Sequence, residues 1–115
     1  MMKALLCLLF VGFAFAQLHP QWNAIWTDSR YGGPLYTCTD GGTKVFGTYS
    51  DIGFFEGSIS SDGNTVTGDW VESGFTDLRH GDFTWTLSAA RTSFTGLKTS
   101  DDRECAPIAW SETRT

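Results

Sequence analysis

Bulky apolar and polar residues alternate along most of the chain from Gln21 onward, with a period of two residues. This period is typical of β-strands that have one buried and one solvated face. No window combines the apolar spacing of an amphipathic helix with capping residues. The alternation predicts eight strands, at residues 21–27, 34–38, 43–50, 54–60, 64–72, 81–88, 92–98 and 107–113.

The segments between the predicted strands contain residues that turns require. Asp40-Gly41-Gly42 and Ser61-Asp62-Gly63-Asn64 combine glycine, which tolerates positive φ, with side chains that bond the nearby backbone. Residues 73–80, which include His80, are expected to form a longer loop. Strands spaced about ten residues apart predict an antiparallel meander. The predicted fold is therefore a small all-β barrel or sandwich.

A glycine repeat runs through the predicted strands. Three segments share the order bulky-x-Gly-x-bulky: Val45-x-Gly47-x-Tyr49, Phe55-x-Gly57-x-Ile59 and Val66-x-Gly68-x-Trp70. A fourth segment, Phe94-x-Gly96, repeats the first half of this order. Glycine weakens a strand unless its missing side chain is used. We expect either a ring from the neighbouring strand to lie over each glycine, or the glycines to permit sharp coiling of a barrel.

The first sixteen residues have the three parts of a secretory signal peptide. Lys3 is the positive start, an apolar run follows, and Ala14-Phe15-Ala16 is a cleavage signal. Residues 17–115 are then a single β domain in a secreted, extracellular protein. Cys38 and Cys105 remain after cleavage, and one disulfide between them is the simplest expectation in an oxidising compartment. An intermolecular bridge is the alternative.

The composition limits the possible partners. A net charge of -5 and a pI near 4.7 argue against nucleic acid, which needs a clustered positive surface. No second long apolar run follows the leader, so no membrane span is expected. Two histidines and two cysteines outside the leader leave little material for a metal site, and we expect no metal and no cofactor. The 15% aromatic content is too high for a disordered chain.

The sequence predicts no catalytic residue. His19 lies next to Pro20 near the new N-terminus, where fraying is expected, and His80 falls in the predicted loop. Four acids are the candidates for glycoside chemistry: Glu56, Asp69, Glu72 and Asp82. By alternation Glu72 points inward at a strand end and the other three point outward, where surface acids chiefly serve solubility. We therefore expect no enzyme.

Three tryptophans are the candidate ligand-binding residues. Trp22 and Trp26 lie four residues apart in the first predicted strand, and Trp110 lies in the last. Terminal strands often close a barrel, so all three are also core candidates. If one of them lines an open barrel mouth, a small apolar molecule or a sugar becomes a possible ligand.

The repeated motifs resemble those of a loosely defined group of secreted β-meander proteins. The segments that carry the resemblance run from Gly47-Thr48-Tyr49-Ser50 through Val66-Thr67-Gly68-Asp69-Trp70 to Gly81-Asp82-Phe83-Thr84-Trp85 and Phe94-Thr95-Gly96. Such proteins occur in bacteria and among the matrix components of marine invertebrates. The resemblance implies a fold and an extracellular location. A looser similarity is to avidin-type barrels, from which no biotin site carries over.

These observations predict a secreted, non-enzymatic protein of an extracellular matrix, such as that of a shell or skeleton, whose partners are a matrix, a mineral or a glycan surface. A barrel that binds a small molecule or glycan is the first alternative. A hydrolase is the second.

Overall fold

The computed structural model describes residues 17–27, 33–50, 52–73, 79–101 and 107–115. These residues form nine β-strands and one short 3-10 turn, Pro20–Trp22, so the fold is all-β as predicted. The strands, in chain order, are β1 Ala24–Thr27, β2 Pro34–Thr39, β3 Lys44–Tyr49, β4 Gly53–Ile59, β5 Thr65–Glu72, β6 Arg79–Leu87, β7 Ser93–Lys98, β8 Ile108–Ala109 and β9 Glu112–Arg114.

The strands form an antiparallel meander that closes on itself. Each of the first seven strands pairs with the next one along the chain. β8 and β9 lie in one continuous register against β7, where the Trp110 amide donates to the Gly96 carbonyl at 2.9 Å. β9 also pairs with β1. With β8 and β9 taken as one interrupted strand, the fold is a closed eight-stranded barrel rather than a sandwich.

The predicted and observed strands differ mainly in where they begin. The predicted strand 21–27 is wrong in its first part, because Pro20–Trp22 forms a 3-10 turn and only Ala24–Thr27 is strand. Proline fixes φ and lacks an amide donor, which suits the first position of such a turn. β6 begins at Arg79, so His80 lies in a strand and not in the predicted loop.

The barrel interior is filled mainly with aromatic side chains. Phe83, Trp85 and Leu87 point inward as the alternation predicts. Rings from opposite sides of β7 meet edge to face in the interior, as for Trp85 and Trp110 at 5.0 Å and 89°. Such ring pairs add roughly 0.5–1.5 kcal/mol each beyond the burial of their area. The buried cluster contains Trp22, Trp26, Leu35, Val45, Tyr49, Phe55, Ile59, Val66, Trp70, Phe83, Trp85, Leu87, Phe94 and Trp110.

The glycine repeat serves both of the expected packing roles. Gly47 pairs with Phe55, and a Cβ at Gly47 would lie 2.6 Å from Cζ of that ring. It would also lie 1.7 Å from the Tyr36 carbonyl oxygen of the neighbouring strand. Gly96, opposite Trp85, has the same close approach to the backbone of Thr84. The glycines thus make room for rings and let the strands coil tightly.

The N-terminal segment covers one end of the barrel, which we call the capped end. Trp22 Nε1 donates to the Gly63 carbonyl at 2.8 Å, and Leu18 donates its amide to the Gly41 carbonyl at 3.0 Å. His19 is buried here, so the expected fraying is wrong for this residue. Arg114 donates to the Gln21 carbonyl and lies over the Trp26 ring, which ties the last strand to the cap.

Some predictions fall on residues that the structure does not describe. The signal peptide, residues 1–16, lies outside the described part. Cys38 is buried on β2, but Cys105 is outside it, so their disulfide stays a prediction. Within the described ranges, no helix is long and apolar enough to cross a membrane.

Candidate functional site

The three predicted ligand-binding tryptophans all lie in the packed interior. Trp22 and Trp26 are neighbours at the capped end, with ring centroids 5.9 Å apart. Trp110 lies further along the barrel, where its ring packs against Tyr49 at 4.9 Å. Trp85 contacts both Trp22 and Trp110, so one stack of rings connects them. Each of the three is at most 1% exposed, and ligand binding by them stays a prediction.

A buried polar cluster lies at the opposite end of the barrel, which we call the ion-pair end. It contains Tyr49, Glu72 and Lys98, where β3, β5 and β7 end. Lys98 Nζ lies 2.5 Å from Glu72 Oε2, and the Tyr49 hydroxyl donates to the same oxygen at 2.6 Å. Glu72 and Lys98 are each 5% exposed. Two opposite charges taken out of water in this way are tolerated because each satisfies the other.

Aromatic rings surround the Lys98 ammonium. Its Nζ lies 4.0 Å from the centroid of Trp70, 5.2 Å from that of Trp110 and 5.3 Å from that of Tyr49. Cation–π attraction to these rings stabilises the charge by roughly 0.5–2 kcal/mol for each well-placed ring. We call these three rings the aromatic cage of Lys98. The cage also keeps water away from the ion pair.

An apolar groove crosses the outer surface of the barrel. Its volume is about 560 Å³, and outward-facing side chains of β2 to β5 form its floor. We call it the aromatic groove and define it by Tyr36, Phe46, Phe54 and Val71. Phe54 is 48% exposed, which is unusual for so large an apolar side chain. The strand register places Phe54 directly between Thr48 and Val71.

Three carboxylates form a row beside this groove. Glu56 pairs with Asp69, and Asp69 pairs with Asp82, so the three lie side by side on adjacent strands. We call them the acidic row. The hydrogen bond that Asp82 shares with Asp69 raises the pKa of Asp82 above its usual value, and the charge of Asp101 raises it further. As predicted, these three acids face outward and Glu72 faces inward.

His80 borders the groove and lies next to a carboxylate. Its Nδ1 is 3.2 Å from Asp101 Oδ2, and the Asp101 amide donates to the His80 carbonyl at 3.0 Å. Both side chains are about half exposed, at 46% and 53%. This pair supplies two of the three groups of a hydrolytic triad, which also needs a nucleophile within reach of the other ring nitrogen.

The sequence interpretation missed the role of Lys98, although a signal was present. Lys98 occupies the last inward position of the segment Phe94-x-Gly96-x-Lys98, where the other repeats have a bulky apolar residue. Extending the repeat by two residues would have placed a lysine inside the barrel, at the same end as the inward Glu72. The aromatic groove had a weaker signal, because it consists of single apolar residues at outward positions on four strands.

Comparisons with known proteins return no relative. No family model, curated protein or solved structure matches the chain. Within the described ranges, no group of three or more histidine, cysteine or acidic side chains is arranged to hold a metal ion. The candidate sites therefore have to be interpreted from their own geometry.

Proposed function

We propose that the protein is a secreted, non-enzymatic component of an extracellular matrix. It attaches to a matrix glycan through the outer face of β2 to β6. The observation that carries this proposal is the acidic row alongside the aromatic groove on that face. A disulfide between Cys38 and Cys105 belongs to the same proposal, because it suits a small secreted domain.

The aromatic groove and the acidic row together match the chemistry of a sugar chain. A sugar ring presents apolar C–H groups on its faces, which can stack on exposed rings such as Phe54. It presents hydroxyl groups at its edges, and carboxylates are strong acceptors for such donors. The groove supplies the first kind of contact, and Glu56 and Asp69, which also line it, supply the second. A glycan fits this combination better than a purely apolar molecule does.

The barrel does not need either feature to fold. Carboxylates placed directly opposite each other in a sheet destabilise it, and the pKa of Asp82 is raised, first by its hydrogen bond with Asp69 and then by burial and the charges of Asp101 and Asp69. The side chain of Phe54 also gains little from folding while half of its surface stays in water. Since the acidic row costs stability in the free protein and the exposed half of Phe54 adds none, a partner that covers them is a reason for their presence.

The experiment compares retention of the mature protein on insoluble chitin, on cellulose and on calcium carbonate. We expect retention on a glycan, and Phe54→Ala is expected to weaken it about five- to tenfold, as loss of one stacked ring predicts. Leu97→Ala is the matched control, because Leu97 is 53% exposed on the outer face of β7, away from the groove. Its retention should not change.

A second pair of variants tests the acidic row. Asp69→Asn with Asp82→Asn removes two charges from the row, and we expect weaker retention on the glycan. Asp40→Asn with Asp62→Asn removes two charges from turns at the capped end and keeps their turn hydrogen-bond acceptors. Equal loss in both double variants would mean that net charge alone governs retention. That result, or retention on calcium carbonate alone, would overturn the glycan assignment.

A further inference from the structure

We propose that Lys98 and Glu72 form an intramolecular amide bond, which covalently links β7 to β5 inside the barrel. This inference is independent of the proposed function, because the two residues lie in the interior and the proposed binding face is on the outside. It assigns a self-modification site to the ion-pair end.

The geometry brings a nucleophile and an acyl group together. Lys98 Nζ lies 2.5 Å from one oxygen of the Glu72 carboxyl group, which places it beside the carboxyl carbon. Both side chains are more than nine-tenths buried, so neither has an alternative position in solvent. Reacting groups that a protein holds in an attack geometry react as if at an effective concentration of up to about 10⁵–10⁸ M. Amide formation, which is unfavourable between free partners in water, then becomes accessible.

The surroundings favour condensation over hydrolysis. The aromatic cage of Tyr49, Trp70 and Trp110 excludes water from the ion pair. The cage also stabilises the ammonium form, so the ion pair is the state from which the reaction starts. Proton transfer along the short hydrogen bond gives an amine and a carboxylic acid, and a neutral pair costs less to hold in an apolar site than two charges do.

The reaction then needs no additional reagent. The Nζ lone pair attacks the Glu72 carboxyl carbon and forms the N–C bond. One carboxyl oxygen leaves as water and takes the two protons that the ammonium group gives up. The Tyr49 hydroxyl donates at 2.6 Å to Oε2, the oxygen that Lys98 Nζ also contacts, and this hydrogen bond assists the departure of that oxygen as water. The products are one secondary amide and one water molecule.

The bond would connect two strands that do not pair with each other. β6 lies between β5 and β7 in the barrel, and the linked residues are 26 positions apart. Unfolding would then have to proceed with residues 72–98, which include β6 and β7, held in a covalent ring. Such a link restricts the unfolded chain in the way that a disulfide does.

Peptide mapping of the secreted full-length protein by tandem mass spectrometry tests the proposal. The expected result is a branched peptide that joins the segment containing Glu72 to the segment containing Lys98 and is one water lighter than their sum. Mapping of fragments separates this loss from cyclisation of an N-terminal glutamine and from disulfide formation. Recovery of the two segments only as separate, unmodified peptides would overturn the proposal.

Two variants add a test of the chemistry. Tyr49→Phe keeps the ring and removes the hydroxyl, so we expect the branched peptide to form several-fold more slowly. Tyr36→Phe removes a hydroxyl on the outer face and should leave the yield unchanged. A branched peptide that forms at the same rate without the Tyr49 hydroxyl would contradict the assigned role of that group. The wild-type result decides the bond itself even if a variant does not fold.

Discussion

At the capped end of the barrel, hydrogen bonds from Trp22 and Arg114 to backbone carbonyls close the core, whereas at the ion-pair end the core terminates in two buried charges. Trp22 closes the capped end with a hydrogen bond to the Gly63 carbonyl. Lys98 and Glu72 close the other end by pairing with each other beneath three aromatic rings. Both solutions give the closing side chains a partner, but they respond differently when one partner is removed.

The two ends of the barrel differ because different chemical groups lie at them. The turns at the capped end are short, and a backbone carbonyl in one of them can accept a hydrogen bond from the N-terminal segment at little cost. At the ion-pair end the inward positions of β5 and β7 are occupied by charged residues, which need each other. A neutral hydrogen bond contributes about 1 kcal/mol, whereas an orphaned buried charge costs several times as much.

The largest expected effect is at the ion-pair end. Lys98→Met leaves the Glu72 carboxylate buried without its cation, and we expect a loss of about 3–5 kcal/mol in the free energy of unfolding. Combining Lys98→Met with Glu72→Leu removes both charges and should recover most of the loss that comes from the orphaned carboxylate; the contribution of the proposed amide bond is not recovered by this variant. Denaturant unfolding measures both values. A loss below about 1 kcal/mol for the single variant would contradict the account of a mutually dependent pair.

A smaller effect is expected at the capped end. Gly63 has φ 80°, and a Cβ there would lie 2.4 Å from Gln21 Nε2 and 2.7 Å from His19 Nδ1. Gly63→Ala should therefore both strain the turn and displace the capping segment, at a cost of about 1–3 kcal/mol. The control is Gly42→Ala, where φ is not positive and the nearest atom is at 3.3 Å. If thermal unfolding shows the same loss of stability for Gly63→Ala and Gly42→Ala, the contact of Gly63 with the capping segment is not the cause.

The smallest effect concerns the outer face, which belongs to neither end. Asp82 has a raised pKa in the folded protein, so the native state binds its proton more tightly than the unfolded chain does. The ionised Asp82 beside Asp69 therefore destabilises the fold at neutral pH, and this effect is relieved as the pH falls toward the raised pKa of Asp82. Asp82→Asn should raise the melting temperature slightly at pH 7 and have no such effect below the usual aspartate value of 3.8. A gain that is the same at both pH values would exclude repulsion as its source.

The pKa of Asp62 is shifted in the opposite direction, and the same measurement of stability against pH tests it. The hydrogen bond from the Ser60 hydroxyl lowers the pKa of Asp62. Its contribution to stability is present above the usual value of 3.8 and is lost as the pH falls through the lowered pKa. A pH titration of stability for Asp62→Ala should therefore show its loss at neutral pH and not in strong acid.

The strands were largely predictable from the sequence, whereas the N-terminal cap was not. Alternation located the strands to within a few residues, and glycine-containing turns marked the boundaries between β2 and β3 and between β4 and β5. The 3-10 turn at Pro20–Trp22 was missed because three residues are too few for a helical period. Its place is set by contact with Gly63, which lies far along the chain.

The acidic row and the Lys98–Glu72 pair could not be predicted from the alternation of apolar and polar residues. That Glu56, Asp69 and Asp82 stand side by side follows only from the register of three strands, and a slip of one residue would move them to the other face. The pairing of Lys98 with Glu72 likewise requires the closed barrel, since the two strands are not neighbours. Sequence could place each side chain inward or outward, but it could not place one beside another.

The central claim is that the ligand binds on the outer face and not at either end of the barrel. Nuclear magnetic resonance of the ¹⁵N-labelled mature protein, titrated with a soluble chitin oligosaccharide, tests it most directly, because the five tryptophan indole groups report on the interior separately from the backbone. We predict saturable shifts of the amides around Phe54, Asp69 and Val71, with the indole signals of Trp22, Trp26 and Trp110 unchanged. A saturable shift of those indole signals without change at Phe54 would contradict the account and place the ligand inside the barrel.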